Sequence, residues 1–249
     1  MVIATITTDM ACMNNSDIPL VDLHTHILPC IDDGAENADE AIKLLLTEKR
    51  QGVSHVVLTP HFDLKNSDIE LFIKKRNTSF KLLSEKINAT GLCADIGLHC
   101  GAEVTYNPEL ISLDVSSLCI EKTSYLLLEA PANVPLNFES TVMHMLANGI
   151  VPILAHIERS PYLCENFALL DYLAGEGVLF QCNATLFLEV GYKNIAAELL
   201  KHGYPHILAS DTHSIAKRPP YLKEALIKSK KNANRFIYNA FCVINNHCL

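Results

Sequence analysis

Two pairs of metal-binding residue types are spaced two positions apart, His24-x-His26 and Asp211-x-His213. Side chains at positions i and i+2 of a β-strand point to the same side, so two imidazoles, or an imidazole and a carboxylate, could hold one ion. Mixed nitrogen and oxygen ligands suit manganese, iron or zinc. A site of this kind can acidify a bound water molecule for hydrolysis.

Five further candidate ligands lie at or just after the ends of short apolar runs: Asp33, His61, Glu103, Glu129 and His156. In a βα barrel the carboxyl ends of the strands form the rim where active sites lie. A buried carboxylate or imidazole needs a partner there, and a metal ion is the partner that many of them can share. The remaining histidines are predicted to be structural or at the surface, namely His55, His99, His144, His202, His206 and His247.

Seven β-rich apolar runs of five to seven residues must position these groups. The runs cover residues 19–24, 55–59, 95–101, 125–129, 151–156, 178–183 and 206–210. Most are continuously apolar rather than alternating, which is typical of strands that are covered on both faces in a parallel sheet or barrel.

Helical signals separate the runs. Asn37 followed by Glu40 indicates a capping box for a helix that ends at Gly52, and Ser67 with Glu70 repeats the signal for a helix to about residue 88. Ser160 before Pro161 predicts a helix that ends at Gly175. The other predicted helices span 137–148 and 193–202, with two more between 220 and 245.

Seven strands alternating with helices predict an α/β fold, a (β/α)7 barrel of the TIM type with one strand fewer than usual and with the metal site at the carboxyl ends of the strands. A doubly wound open sheet has the same periodicity and remains the alternative. No linker divides the chain, so we expect one domain over residues 17–249 and a poorly ordered N-terminal extension over residues 1–16.

Composition narrows the class of protein. The 249 residues carry a formal net charge of −8, from 20 Lys and Arg against 28 Asp and Glu, which argues against nucleic acid as a partner. The number of cysteines, nine, is odd, and the sequence has no CxxC motif. Both features favour a reducing compartment and a cytoplasmic protein. No apolar stretch reaches the roughly 18 residues of a spanning helix, so no stable membrane insertion is expected.

The motifs together resemble the PHP superfamily, and most closely its bacterial protein-tyrosine phosphatases of the CpsB/CapC/YwqE type. The resemblance spans about residues 21–226, and the combination HxHxLPxxDDG, TPHF and AHxER is specific to this branch. The stretches that carry it are VDLHTHILPCIDDGAENADEA at 21–41, VVLTPHFD at 56–63, GAE at 101–103, LLLEAP at 126–131, PILAHIERSPYL at 152–163, LASDTHS at 208–214 and RPP at 218–220.

The resemblance implies a distorted TIM-like barrel, the PHP fold, with three divalent ions, usually manganese. It assigns the first ion to His24, His26, Glu103 and Asp211. It assigns the second to Glu103 as a bridge, Glu129 and His156, and the third to Asp33, His61 and His213. It also implies that Arg159 and Arg218 bind the phosphate as catalytic groups, since guanidinium forks match phosphate oxygens.

The implied reaction is hydrolysis of phosphotyrosine in proteins, by attack of metal-activated hydroxide on phosphorus. The phenol of tyrosine has a pKa of about 10 and leaves more easily than an alkoxide. Relatives act on bacterial tyrosine kinases that control capsule or exopolysaccharide synthesis, and such a kinase is the expected partner.

Two alternatives remain open, a small-molecule phosphatase such as one for histidinol phosphate, and a metal-binding regulatory protein without turnover. The cysteine-dependent phosphatase mechanism is excluded, because no Cys-x5-Arg occurs and position 106, where His99-Cys100 would require arginine, is Tyr106.

The chain departs from the family at Cys30, where a glycine is usual between the proline and the IDDG run. If the backbone there requires a positive φ, cysteine is strained and the position of Asp33 is affected.

Overall fold

The chain folds as a mixed α/β structure in which parallel strands alternate with helices. The computed structural model describes residues 18–131, 137–247 and 249. The described strands are β1 (Leu20–Thr25), β2 (Val53–Leu58), β3 (His61–Phe62), β4 (Gly97–Cys100), β5 (Glu103–Thr105), β6 (Tyr125–Glu129), β7 (Val151–Ala155), β8 (Leu179–Asn183) and β9 (Ile207–Ala209).

The α-helices of the described part surround these strands. They are α1 (Ala38–Gln51), α2 (Ile69–Thr90), α3 (Phe138–Ala147), α4 (Pro161–Glu165), α5 (Phe167–Gly175), α6 (Thr185–Leu188), α7 (Lys193–Lys201), α8 (Leu222–Ser229) and α9 (Ala233–Ile244). Short 3-10 turns cover Pro108–Ser112, Ser116–Leu118, Ile157–Arg159, Val190–Tyr192 and Lys230–Asn232.

All named strand pairs are parallel, in the orders β1-β2-β4 and β3-β5-β6-β7-β8-β9. The two sheets are linked where β3 follows β2 and β5 follows β4, since Gly101 N donates to Leu58 O at 2.9 Å. At the other edge Asp211 N donates to His24 O at 2.9 Å, which joins the end of β1 to the loop after β9. The carboxyl ends of these strands therefore face one region.

Apolar side chains lie on both faces of the strands, as the continuous apolar runs predict. In β6, Leu126 and Leu128 pack in the larger cluster that includes the surrounding helices, whereas Leu127 belongs to a second cluster formed mainly by strand residues. Ala240 and Val243 of α9 complete this second cluster. Burial on both faces leaves the strand ends as the place for polar groups.

The predicted helix starts are largely confirmed. The Asn37 side chain accepts a hydrogen bond from Glu40 N and caps α1, which ends at Gly52 with φ of 89°. The cap of α2 is Asp68 rather than Ser67, because the Asp68 carboxylate accepts from Leu71 N. Asp68 lies one residue closer to the first turn, and either residue type can cap.

One predicted helix is wrong in its length. Ser160 caps α4 as expected, with Leu163 N donating to its hydroxyl, but α4 ends at Glu165. Asn166 then caps α5 by accepting from Leu169 N. A second strong capping residue inside the apolar pattern therefore starts a new helix.

No helix in the described ranges is long and apolar enough to cross a membrane. The predicted extension over residues 1–16 lies outside the described residues.

Candidate metal centre

The nine predicted ligands are brought together at the carboxyl ends of the strands. His24 belongs to β1, His61 to β3, Glu103 to β5 and Glu129 to β6. Four others follow a strand within four residues, namely His26, His156, Asp211 and His213, and Asp33 lies in the loop eight residues after β1. His156 and Asp211 have positive φ values, 34° and 54°, which cost energy for residues with a Cβ and concentrate strain at this rim.

Glu103 lies at the centre of the group, with 1% of its surface exposed. Its Oε1 is 2.7 Å from His156 Nε2. Its Oε2 is 2.9 Å from His61 Nδ1 and 3.2 Å from Nε2 of both His24 and His26. One carboxylate thus contacts four imidazoles, two from the end of β1 and one each from β3 and the end of β7.

Three sets of ligand atoms are each compact enough to hold one ion. They are His24 with His26 and Glu103, Glu103 with Glu129 and His156, and Asp33 with His26, His61 and His213. Glu103 belongs to the first two sets and His26 to the first and third. The eight residues of these sets therefore form one continuous centre, and the grouping of His26 with the third set adds to the expected arrangement.

Asp211 completes the first set. Its Oδ1 lies 3.5 Å from Nε2 of both His24 and His26. Its Oδ2 accepts hydrogen bonds from Asn183 Nδ2 at 2.7 Å and from Arg218 at 2.6 Å. One oxygen of Asp211 thus faces the imidazoles and the other is held by donors outside the centre.

The arrangement of Glu103 fits bound cations better than it fits hydrogen bonds alone. Although three imidazole nitrogens surround Glu103 Oε2, none has hydrogen-bond geometry, so this buried oxygen has no hydrogen-bond partner among the described residues. A buried carboxylate oxygen in that situation is costly unless a cation compensates it. The donor set of five imidazoles and four carboxylates is suitable for divalent ions such as manganese.

The electrostatics of the centre also favour a negative carboxylate among histidines. Burial by itself would raise the pKa of Glu103, but the nearby charge of His24 and the contact with His156 hold it well below its usual value. Burial would lower the pKa of His26, yet the hydrogen bond with Asp32 and the interaction with Glu103 raise it to about 10. Glu103 and His26 therefore stabilise each other's charged forms.

His213 behaves differently from His26. Burial, followed by the charge of His26, lowers the pKa of His213 to about 4, so that its ring is neutral near pH 7. A neutral imidazole is the form that binds metal. Its Nε2 is 3.4 Å from Asp33 Oδ1, in the third set.

Both predicted arginines point at the same carboxylate oxygen. Arg159 Nη2 is 3.0 Å and Arg218 Nη2 is 2.6 Å from Asp211 Oδ2. Their side chains remain 42% and 38% exposed, so each guanidinium has faces open to solvent beside the buried centre. Two exposed cations at the edge of a ligand cluster can receive an anionic group.

Two residues of β8, Gln181 and Asn183, are not candidate ligands themselves but contact three of the candidate ligands, His24, His156 and Asp211. The Gln181 Oε1 accepts from His156 N at 2.8 Å and lies 3.3 Å from His24 Nδ1. Gln181 Nε2 donates to Asn183 Oδ1 at 2.8 Å, and Asn183 Nδ2 in turn donates to Asp211. Neither Gln181 nor Asn183 is among the predicted site residues, although two amide residues within one apolar strand are a signal for such a network.

Asp32 was also missed as a functional residue. Its Oδ2 is 2.7 Å from His26 Nδ1 and accepts from His61 N at 3.1 Å, while its Oδ1 accepts from Gly34 N. The neighbouring Asp33 is 68% exposed and faces the third set. The DDG run therefore supplies one aspartate that holds a histidine and one that can contact an ion.

The backbone at Cys30 has φ of 60°, the left-handed conformation that favours glycine. The Cys30 thiol donates to Glu36 O at 3.1 Å within the loop that carries Asp33. The structure therefore confirms that this position requires positive φ, and Asp33 still reaches its predicted neighbours.

The six histidines expected elsewhere lie outside the three sets. His55 Nδ1 is 3.1 Å from His99 Nε2, and His206 Nδ1 accepts from Phe180 N. Burial lowers the pKa of His206 to about 4, as suits a neutral structural acceptor. Six described cysteines are free thiols, namely Cys30, Cys93, Cys100, Cys119, Cys164 and Cys182, and the cysteines at 12 and 248 lie outside the described residues.

A parallel α/β fold with histidines and carboxylates gathered at the carboxyl ends of its strands defines a class, the candidate metal-dependent hydrolases. Within that class the chain belongs to the CpsB/CapC family of capsular polysaccharide synthesis, whose family model matches residues 20–249. This assignment agrees with the family resemblance of the motifs.

Individual relatives are similar over most of the chain. CapC of Staphylococcus aureus is 31% identical over 228 residues, which cover 86% of this chain and 85% of that protein. The tyrosine-protein phosphatase YwqE of Bacillus subtilis is 28% identical over 221 residues, with 85% and 84% covered.

A solved structure shares the fold. It comes from work on YwqE of Bacillus subtilis and CpsB of Streptococcus pneumoniae, described as metal-dependent tyrosine phosphatases. It superposes with a TM-score of 0.79 at 24% identity, covering 92% of this chain and 95% of the other. An amidohydrolase of Mycoplasma synoviae matches with a TM-score of 0.55 at 12% identity, covering 93% and 89%, so it supports the fold alone.

Proposed function

We propose that the chain is a metal-dependent phosphatase that hydrolyses phosphotyrosine in proteins. The observation that carries the proposal is the continuous centre of nine ligand-type residues around Glu103, with two arginines at its edge. The named tyrosine phosphatases among its relatives support the substrate class.

Three ions are proposed, with manganese as the expected metal and iron or zinc as substitutes. His24, His26, Glu103 and Asp211 would hold the first. Glu103, Glu129 and His156 would hold the second, and the Thr105 hydroxyl donates to Glu129 Oε2 at 3.0 Å and orients it. Asp33, His61 and His213 would hold the third.

When bound, such ions supply Lewis acidity for a water nucleophile and for phosphate oxygens. The chain's own contribution is to bind and orient the phosphate. Arg159 and Arg218 approach from two different loops, and their guanidinium groups can donate to non-bridging oxygens as charge develops there. A phenolate leaving group needs little protonation, which agrees with a site rich in cations and ligands.

The same proposal includes a closed barrel, a cytoplasmic location and a phosphoprotein partner. The backbone bonds between the end of β1 and the loop after β9 support a closed barrel in one domain over residues 17–249. The barrel has seven strands when β2 with β3, and β4 with β5, are each counted as one interrupted strand. The free thiols of six described cysteines support a cytoplasmic location, namely Cys30, Cys93, Cys100, Cys119, Cys164 and Cys182. A bacterial tyrosine kinase of capsule or exopolysaccharide synthesis is the proposed phosphoprotein partner, in line with the family.

Elemental analysis combined with turnover tests the proposal. We expect the purified protein to contain up to three divalent ions per chain and to release phosphate from a phosphotyrosine peptide. Chelation should abolish turnover, and added manganese should restore it. Activity that survives complete metal removal, or phosphate release from histidinol phosphate alone, would overturn the proposal. Bound metal without any hydrolysis would instead indicate a regulatory binding protein.

Arg159→Ala tests the role of the arginines. Loss of one preorganised donor to the developing charge should lower kcat/KM by about 100-fold. The metal content should stay unchanged, because the Arg159 guanidinium contacts Asp211 at Oδ2, the oxygen that faces away from the imidazoles. The exposed Arg50 of α1 is the matched control, and Arg50→Ala should behave as the wild type.

A further inference from the structure

A groove of about 690 Å³ lies between α2 and the loop that precedes the two aspartates of the DDG run. We call it the α2 groove. Its loop wall is formed by residues 29–31, and its helix wall by residues of one α2 face, among them Leu71, Lys74, Lys75, Thr78, Lys81 and Leu82. These positions recur at three- and four-residue spacing, so they form a single stripe along the helix.

The α2 groove and the metal centre share one loop, which contributes residues 29–31 to the groove and Asp33 to the third ligand set. Ile31 in its wall is two residues from Asp33, and Asp33 with His61 belongs to the third ligand set. That set is the most accessible of the three, since the side chains of Asp33 and His61 are 68% and 37% exposed. The Ser79 hydroxyl donates to Pro29 O at 2.5 Å and fixes the loop wall to α2. The loop that carries Asp33 is therefore held against the helix wall of the groove.

The charge of the groove is opposite to that of the protein. Three lysines line it, Lys74, Lys75 and Lys81, against one acid, Glu85. The whole chain has a net charge of −8. Lys81 lies 3.8 Å from Glu85, whereas Lys74 and Lys75 pair with no carboxylate in the described part of the chain. Two exposed ammonium groups are thus available for acidic groups of a partner.

Apolar side chains accompany the lysines. Leu71 and Leu82 are 44% and 42% exposed, although α2 buries other apolar residues on its opposite side. The stripe from Leu71 to Glu85 is about 21 Å long at the rise of an α-helix, which is the length of about six residues of extended chain. Its size and composition fit a short peptide with acidic and apolar side chains.

We propose that the α2 groove binds the acidic, partly apolar segment that flanks phosphotyrosine in the protein substrate. This inference rests on the proposed phosphatase function. The phosphate would occupy the centre beside Arg159 and Arg218, while the neighbouring residues of the same chain leave over Ile31 and lie along α2. Acidic side chains contact Lys74 and Lys75, and apolar ones contact Leu71 and Leu82.

Phosphotyrosine peptides that differ only in their flanks test the proposal. One series carries acidic residues at three to six positions from the phosphotyrosine, on either the N-terminal or the C-terminal side, and a matched series carries serines there. At low salt we expect the wild type to have a higher kcat/KM for one acidic series than for the matched serine series. This preference should become smaller at high salt, because salt screens exposed charges. Lys74→Ala with Lys75→Ala should reduce that preference by about fivefold, the effect of losing two exposed charge contacts.

Three readouts separate this groove from the catalytic centre. The Lys74 and Lys75 double variant should hydrolyse a small aryl phosphate and the serine-flanked peptide at the wild-type rate. Lys228→Ala with Lys231→Ala removes two lysines of a different groove and should leave the preference unchanged. Leu82→Ser should lower kcat/KM for peptides with apolar flanks, and the melting temperature of this variant should equal that of the wild type.

Two results would overturn the proposal while leaving the phosphatase function intact. The first is an equal effect of the double variant on acidic and serine-flanked peptides. The second is binding of wild type to vesicles with anionic lipids that the double variant loses, with no change in peptide preference, which would assign the groove to a membrane surface. Failure of wild type on every phosphotyrosine peptide would contradict the proposed function itself.

Discussion

His26 Nδ1 lies 2.7 Å from Asp32 Oδ2, so that the other nitrogen of the ring faces Glu103 and Asp211. A histidine whose Nδ1 donates to a carboxylate presents the lone pair of Nε2 to a metal ion, in a fixed ring orientation. Asp32 also accepts from the backbone nitrogens of Gly34 and His61 and is therefore itself held in place.

Asp32→Ala should lower metal affinity by about 10- to 100-fold, because His26 loses the group that fixes its tautomer and orientation. Asp32→Asn keeps an acceptor for His26 but removes the charge, so metal affinity should fall less than in Asp32→Ala. Metal titration of both variants measures the effect. Asp95→Ala, at an exposed aspartate paired with Lys49, is the control. Unchanged affinity in Asp32→Ala would contradict the role.

Metal binding should release at least one proton per chain near pH 7. The interactions with Asp32 and Glu103 outweigh burial and raise the pKa of His26 to about 10 in the metal-free chain, so the ring is protonated there. An ion must displace that proton, and metal affinity should rise with pH. Calorimetric titration in buffers of different ionisation enthalpy measures the proton count. A heat independent of the buffer would contradict this prediction.

Gln181 should be needed for the arrangement of His24, His156 and Asp211. Gln181→Leu removes the acceptor for His156 N and the donor to Asn183, and we expect a loss of about 10- to 100-fold in metal affinity. Gln181→Glu keeps the acceptor but places a carboxylate against Asn183 Oδ1, so its metal affinity should stay below that of the wild type. Gln51→Leu, on α1, is the matched control. Wild-type affinity in Gln181→Leu would show that β8 is not needed to position the ligands.

Local signals were sufficient to predict most of the fold. The Asn37 cap and the Gly52 end of α1 depend on neighbouring residues, and both lie where the sequence predicts them. The ends of the apolar runs likewise place Glu103 and His156 at one rim, because parallel strands bring their carboxyl ends together. Their role as metal ligands stays a prediction.

Features that depend on the three-dimensional course of a loop were not predictable. Asp32 and Asp33 are equivalent in the sequence, and their different roles follow from the turn between Cys30 and Gly34. A Cβ at Gly34 would overlap the carbonyl oxygen of His26, so the loop can approach β1 only with glycine there. The amide chain from Gln181 to Asp211 links residues far apart in the sequence and has no local signature.

Cys30→Gly should stabilise the protein. A residue with a Cβ at φ of 60° costs about 1–2 kcal/mol, and glycine avoids that cost at an entropic penalty of roughly half this size. We therefore expect a gain of about 0.5–1 kcal/mol in the free energy of unfolding, measured by denaturant titration. Cys30→Ala is the control, since it keeps the strain and removes only the thiol contact with Glu36 O. If both variants change stability equally, strain is not the cause.

Glu48→Gln should reduce the loss of stability at higher pH. Glu48 of α1 is fully buried, and its two oxygens have no hydrogen-bond partner among the described residues. Burial and then the negative charge of Asp22 raise the pKa of Glu48 well above its usual value. A group with a raised pKa in the folded chain contributes its full stability below its unfolded pKa, and this contribution is lost as the pH rises.

The free energy of unfolding of wild type should therefore fall between pH 5 and pH 8 by about 1 kcal/mol or more beyond the change in Glu48→Gln. Denaturant titrations of both proteins at saturating metal measure this difference, in which the shared pH dependence of the metal ligands cancels. Glu176→Gln, at an exposed position after α5, should follow the wild-type curve. Parallel pH curves for wild type and Glu48→Gln would show that folding does not raise the pKa of Glu48.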